Sequence, residues 1–189
     1  MDTTDDTSEF DRQVAELYRA IGEFAVQFEH VTWAMQLGVI SLLTHAGLRN
    51  QAMAQVVVAD LTAAPLASMY QSLVAEARSL SDDERRICDA IFKRTKALIE
   101  TRNDVIHSTW FVGWASSRAD DVSRVDGQKQ TRGKRGSDIK QLVNDADGFK
   151  RHAQECDYVA GLLRRLFGLL LGGRDLALHI PFDRVTRPA

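Results

Sequence analysis

The feature that most narrows the fold is an apolar seam near the start of the chain. From Phe10 the residues Phe10, Val14, Leu17, Ile21, Phe24, Phe28, Val31 and Met35 recur at steps of four and three, followed by Leu42 after a gap at Gly38. An α-helix brings positions three and four apart onto one side, so these residues form a single stripe. The pattern predicts one helix from Phe10 to Leu42, roughly 50 Å long. A seam of that length needs several partner helices, or a second copy of itself, to cover it. Thr44 to Asn50, with Gly47, ends the helix.

Further helices follow. After a short apolar segment, Ala52 to Ala59, the stretch Asp60 to Pro65 makes a break. Pro65 suits the first turn of a new helix whose buried face would be Leu66, Met69, Tyr70, Leu73 and Val74. Ser81 and Glu84 have the spacing of a capping box, in which each side chain satisfies the other residue's backbone N–H. The helix they open carries Ile87, Ile91, Phe92, Leu98, Val105 and Ile106 and is expected to run to about His107. From Trp110 the texture changes. Trp110 to Trp114 reads as a strand, and the polar stretch Asp120 to Arg132 alternates in part. Gly127, Gly133 and Gly136 punctuate this region, which predicts a hairpin or three short strands with mobile loops at those glycines. Asn144 or Asp145 would cap a last helix carrying Phe149, Cys156, Val159, Leu162, Leu163, Leu166, Phe167 and Leu170, stopped by Gly172-Gly173.

These elements predict a mainly α fold of about five helices with a small β insertion around 110–140. Residues 1–8 read as a disordered acidic tip, 9–173 as a single helical domain and 174–189 as an extended tail. A length of 189 residues suits one domain with a sizeable core. The net charge of -2 excludes a protein that binds nucleic acid through its overall charge, so any such contact needs a local basic patch. Two cysteines, Cys88 and Cys156, are too few for a disulfide scaffold and have no metal-ligand neighbours, so they read as core thiols of a reducing compartment. The acidic Met1 to Asp6 lacks the basic flank and apolar run of a signal peptide. The most apolar run, Leu162 to Leu171, is broken by Arg164 and Arg165 and is too short to span a bilayer. A cytoplasmic protein without membrane contact is expected.

One cluster of residues carries chemistry: Arg102-Asn103-Asp104-Val105-Ile106-His107, at the C-terminal end of the capped helix. Asn103 and His107, four apart, share a helix face, while Arg102 points about 100° away with a side chain long enough to swing back. Cleaving RNA without a metal needs a base for the 2′-hydroxyl, an acid for the leaving 5′-oxygen and positive charge for the phosphorane. Histidine can be base or acid, and arginine is a fixed bidentate donor for phosphate oxygens. One histidine cannot be base and acid at once, which a dimer supplying His107 twice would resolve. The plain alternative is structural: cations at a helix C-terminus are stabilising by about 0.3–1 kcal/mol, and Asp104 could pair with Lys96 or Arg94.

The motif resembles the R-[N/D/H]-x-x-x-H signature of the HEPN superfamily, and the helical layout from about 10 to 172 is similar to that family's as well. The resemblance implies a helical bundle that homodimerises, bringing two motifs into one cleft. It also implies a metal-independent endoribonuclease of a toxin–antitoxin or phage-defence system, with Arg102, Asn103 and His107 as catalytic residues, RNA as substrate, an antitoxin as possible partner, and neither metal nor cofactor. Other members are catalytically inactive dimeric modules that bind RNA or nucleotides or act as scaffolds. Family toxins paired with a nucleotidyltransferase often carry a tyrosine two positions after the histidine; this chain has Thr109 there, so control by adenylylation at that site is not open to it.

Candidate phosphate contacts follow the motif closely: Lys129, Arg132, Lys134 and Arg135, in a run that also holds Arg124 and Lys140. Such a run in a hairpin is otherwise a solvated face. Trp110 and Trp114 would share a strand face, to stack on bases or to cover the core. His30, beside Glu29 on the long first helix, reads as a polar-face or interface residue and His45 as structural, while His152 and His179 sit in polar surroundings with no obvious partners. No zinc-protease, phosphate-loop, nucleophile-elbow or dinucleotide-binding motif is present.

Overall fold

The computed structural model describes residues 9–112, 123–133 and 136–187. The chain is mainly helical with a small three-stranded antiparallel sheet. In chain order the elements are α1 (Glu9–His45), α2 (Gln51–Ala59), α3 (Ala63–Ala77), α4 (Asp82–Ile106), β1 (Thr109–Trp110), β2 (Val125–Gly133), β3 (Gly136–Asn144), α5 (Ala146–Leu171), α6 (Leu176–His179) and α7 (Phe182–Thr186). They group into two compact units, Met1–Val26 with Thr101–Ala153, and Gln27–Glu100 with Gln154–Ala189. The sequence pattern does not mark this division, because α1, α4 and α5 each contribute to both. Among the described residues no helix is long and apolar enough to cross a membrane.

In the first unit the sheet follows the order β1-β2-β3. Strands β2 and β3 pair from Val125↔Asn144 to Gly133↔Gly136, with Lys129 opposite Lys140. Gly127 is not in a loop, as the glycine pattern suggested, but within β2, near its start and opposite Trp110. The indole lies over it so closely that a Cβ there would come within 2.7 Å of the ring. Trp110 also meets Phe149 edge-on at 5.1 Å between centroids, so the sheet is anchored to α5 by its aromatic residue. Asp145 caps α5 by accepting the Gly148 N–H, and Lys150 reaches Glu16 of α1.

In the second unit the α1 seam runs through Phe28, Val31, Met35 and Leu42, all buried. The gap at Gly38 has a cause: the Tyr70 ring of α3 occupies the space a Cβ would need, at 2.4 Å. Tyr70 is itself fully buried, and its hydroxyl donates to the Leu163 carbonyl at 3.1 Å. The seam from Leu17 to Leu42 is thus largely covered within one chain and does not require a second copy. A different stripe of α1, carrying Tyr18, Val26 and Trp33 at steps of eight and seven, is exposed.

The expected extended tail is instead two short helices, α6 and α7, which bring the total to seven among the described residues. The reason is a set of fixed partners. Glu84 accepts the Leu176 N–H at 3.0 Å, Arg78 donates to the Arg174 carbonyl at 2.7 Å, and Asp175 caps α6 by accepting the Ala177 N–H. Arg94 donates to the carbonyls of Val185 and Arg187. Leu176, Ile180 and Val185 are thereby buried. Cys88 and Cys156 are free and buried, and burial pushes both thiols up to about 12.

Candidate functional site

The motif occupies the last turn of α4, where four backbone carbonyls lack helical partners. Two of them are met by side chains just beyond the helix: Ser108 Oγ donates to the Asp104 carbonyl, and Trp110 Nε1 donates to that of Val105 at 2.8 Å. The indole that covers Gly127 therefore also fixes the helix end. His107 lies one residue past α4, its backbone N–H still donating to the Asn103 carbonyl at 3.3 Å.

The three motif side chains come together. Arg102 Nη1 is 3.4 Å from Asn103 Oδ1 and 3.2 Å from His107 Nε2. A guanidinium can only donate, so Nε2 must be the unprotonated ring nitrogen in this contact, with the ring proton on Nδ1. His107 is exposed, while Arg102 and Asn103 are half-buried. The long arginine swings back across the helix surface to the Asn103–His107 side.

Asp104 points to the other side of the turn. It meets Lys129 Nζ of β2 at 3.0 Å and Lys140 Nζ of β3 at 2.5 Å. In the structural alternative Asp104 could pair with Lys96 or Arg94, but these have other partners: Lys96 donates to Gln71, and Arg94 pairs with Glu155. Like charges placed directly opposite on two strands repel, and the carboxylate between Lys129 and Lys140 turns that repulsion into a clamp of hairpin on helix. Partial burial raises the Asp104 carboxyl, but hydrogen bonds from Lys140 and Lys129 more than offset this and hold it below the ordinary range.

The basic candidates separate accordingly. Lys129 is committed to Asp104, and Arg132 is exposed on the opposite face of β2, with no acid partner among the described residues. Lys134, Arg135 and Trp114 lie outside the described residues. Sequence reasoning missed Lys140 and Ser108 as shaping residues, and it missed His152. His152 meets Phe24 at 5.8 Å between rings and, with Thr101, Asp104 and Trp110, lines a cavity of about 240 Å³. Its spacing from Phe149 and Cys156 places it on the apolar side of α5, a signal that was available. The cavity and the Arg102–Asn103–His107 group occupy different sides of the α4 end. Among the described residues no three or more His, Cys, Asp or Glu side chains cluster as metal ligands.

Compared with protein-family models, curated proteins and solved structures, the chain finds no match.

Proposed function

We propose that this chain is a HEPN-type, metal-independent endoribonuclease. The observation that carries the reading is the convergence of Arg102, Asn103 and His107 at one exposed helix end, held by hydrogen bonds from one guanidinium. In the proposed reaction a phosphodiester draws the Arg102 guanidinium onto its non-bridging oxygens, and this frees His107 Nε2. Nε2 then takes the proton of the 2′-hydroxyl, the 2′-oxygen attacks phosphorus, and the P–O5′ bond breaks. The departing 5′-oxygen takes a proton from the His107 of a second copy, whose ring carries both protons at that moment. The first histidine thus ends protonated and the second neutral, and the two exchange roles in the next turnover. The products are a 2′,3′-cyclic phosphate and a 5′-hydroxyl. Asn103 orients the imidazole or a phosphate oxygen.

A homodimer is part of this proposal, and the exposed α1 stripe of Tyr18, Val26 and Trp33 is a surface that suits it. RNA is the substrate and an antitoxin the expected regulator. The cytoplasm is the proposed location, in keeping with two free thiols. The test is cleavage of single-stranded RNA by wild type in the presence of EDTA, with analysis of product ends. Cutting that a chelator stops, or ends lacking a cyclic phosphate, would remove this mechanism.

A second reading, a catalytically silent RNA-binding or scaffold module, is favoured by a separate observation. Lys129 and Lys140 are both spent on Asp104, which leaves fewer cations for a substrate. It predicts an RNA panel left uncut by wild type, and variants of Arg102 or His107 that perturb only stability or partner binding.

A further inference from the structure

The second unit holds a cavity of about 340 Å³ that the proposed nuclease chemistry does not use. That volume falls in the range of small-molecule sites, roughly 300–1,000 Å³. One wall is a stripe of α5 in which Asp157, Gly161, Arg164 and Arg165 follow at helical spacing. The facing wall is Ile180, Pro181 and Arg184. This second wall is fixed independently of its charged side chain. Tyr158 donates to the Arg184 carbonyl at 2.8 Å, Arg94 donates to the Val185 carbonyl at 2.7 Å, and Ile180 and Val185 are buried.

Three features point to the ligand. Arg164, Arg165 and Arg184 line one cavity, and no ion pair is formed by any of them among the described residues, so its lining carries three arginines against one carboxylate, Asp157. A carboxylate ligand would be satisfied by one bidentate arginine, whereas a tetrahedral dianion with three terminal oxygens can use three. Of the rest of the lining, Tyr158 and Pro181 offer carbon surface for an organic body, backed by the buried Leu162 and Ile180. The space itself depends on a missing side chain, because a Cβ at Gly161 would meet nothing within 4 Å.

We propose that this cavity binds a small phosphate monoester with an aromatic or apolar body. The phosphate sits among Arg164, Arg165 and Arg184, and the body lies against Pro181 beside Tyr158. The inference stands apart from the nuclease reading, since it uses none of that site's residues.

The experiment is calorimetric titration of the full chain at low salt with phenyl phosphate, with phenol and inorganic phosphate as controls. Phenyl phosphate is expected to bind one per chain, inorganic phosphate at least tenfold more weakly, and phenol not measurably. Arg164→Ala combined with Arg184→Ala should weaken phenyl phosphate at least tenfold. Gly161→Leu should abolish binding by filling the space, with a helical circular dichroism spectrum and a melting temperature no lower than that of wild type. A Cβ there meets nothing within 4 Å, and leucine favours the helix more than glycine. Saturable binding that survives Gly161→Leu overturns the proposal, as does the absence of phenyl phosphate binding to wild type at millimolar concentration. RNA cleavage by these variants should equal that of wild type, so failure here and failure of the nuclease reading are separable.

Discussion

The helix α4 carries a carboxylate in its first turn and another in its last, and the two are handled differently. Glu84 is almost fully buried. It accepts the backbone N–H groups of Ser81 and Leu176 and a hydrogen bond from Arg78. Burial raises its carboxyl, and those donors together outweigh it and bring it below the ordinary range. Asp104 is partly open to solvent and faces two lysine ammonium groups on paired strands. Each is an anchor, but Glu84 holds a tail that lies apart from the proposed nuclease chemistry, whereas Asp104 holds a hairpin beside Arg102, Asn103 and His107. The first turn of the helix is organised for stability. Its last turn combines anchoring through Asp104 with an exposed arginine–histidine contact that contributes little to folding. That contrast predicts that substitutions at the two ends will affect different measurements.

The largest effect should come from the exposed contact. His107→Ala should lower RNA cleavage by roughly 10²–10⁴-fold, the usual contribution of a general acid or base, while urea denaturation stays within about 0.5 kcal/mol of wild type. Arg102→Ala should do likewise. A variant that lost activity and stability together would place His107 with the anchors and erase the distinction between the two ends.

Glu84→Ala should do the reverse. Removing a buried carboxylate that serves three donors, one of them charged, should cost on the order of 3 kcal/mol. The tail should become cleavable by protease near Arg174, with any RNA cleavage per folded molecule unchanged. A protected tail in this variant would mean that Leu176, Ile180 and Val185 dock without Glu84.

These two ends also show what the sequence makes legible. The Ser81–Glu84 box is local, with both partners within one turn, and its geometry follows from the spacing alone. The Leu176 contact of the same carboxylate spans 92 positions and leaves no such trace, which is why the tail reads as extended. Asp104 repeats the lesson, since its partners lie 25 and 36 positions away and depend on the β2–β3 register. Gly38 is intermediate: the gap in the seam is visible, but the Tyr70 ring that causes it is not. The Arg102–His107 approach was legible because one helix turn brings the residues within reach of a long side chain. Which lysines remain available for a ligand could not be read, because charge pairing across a hairpin is decided in three dimensions.

A smaller effect is expected at Asp104. Asp104→Asn should destabilise by about 1–2 kcal/mol. Because the folded carboxyl lies below its unfolded value of 3.8, its contribution is complete above roughly pH 4–5 and is lost as pH falls through the lower folded value. The wild-type and Asn variant stabilities should therefore converge on acidification. Parallel pH curves would show that the lysine clamp is not worth its geometry.

The smallest effect should separate the two basic residues of β2. Lys129→Ala removes one arm of the Asp104 clamp and should cost stability, about 0.5–1 kcal/mol, whether or not RNA binds there. Arg132→Ala breaks no ion pair among the described residues and, on a solvent-facing strand position, should leave stability within about 0.5 kcal/mol of wild type. If Arg132 contacts an RNA phosphate, its loss should weaken single-strand binding uniformly across sequences. It should also lower the slope of log affinity against log salt by roughly 0.7, the counterions released per phosphate neutralised. Measuring both variants at several salt concentrations gives each residue a stability cost and a salt slope. Lys129 should change the first and Arg132 the second. An Arg132 variant with an unaltered slope would restrict RNA contact to the Arg102–His107 end, and a Lys129 variant that changes only the slope would show that the clamp opens when RNA arrives.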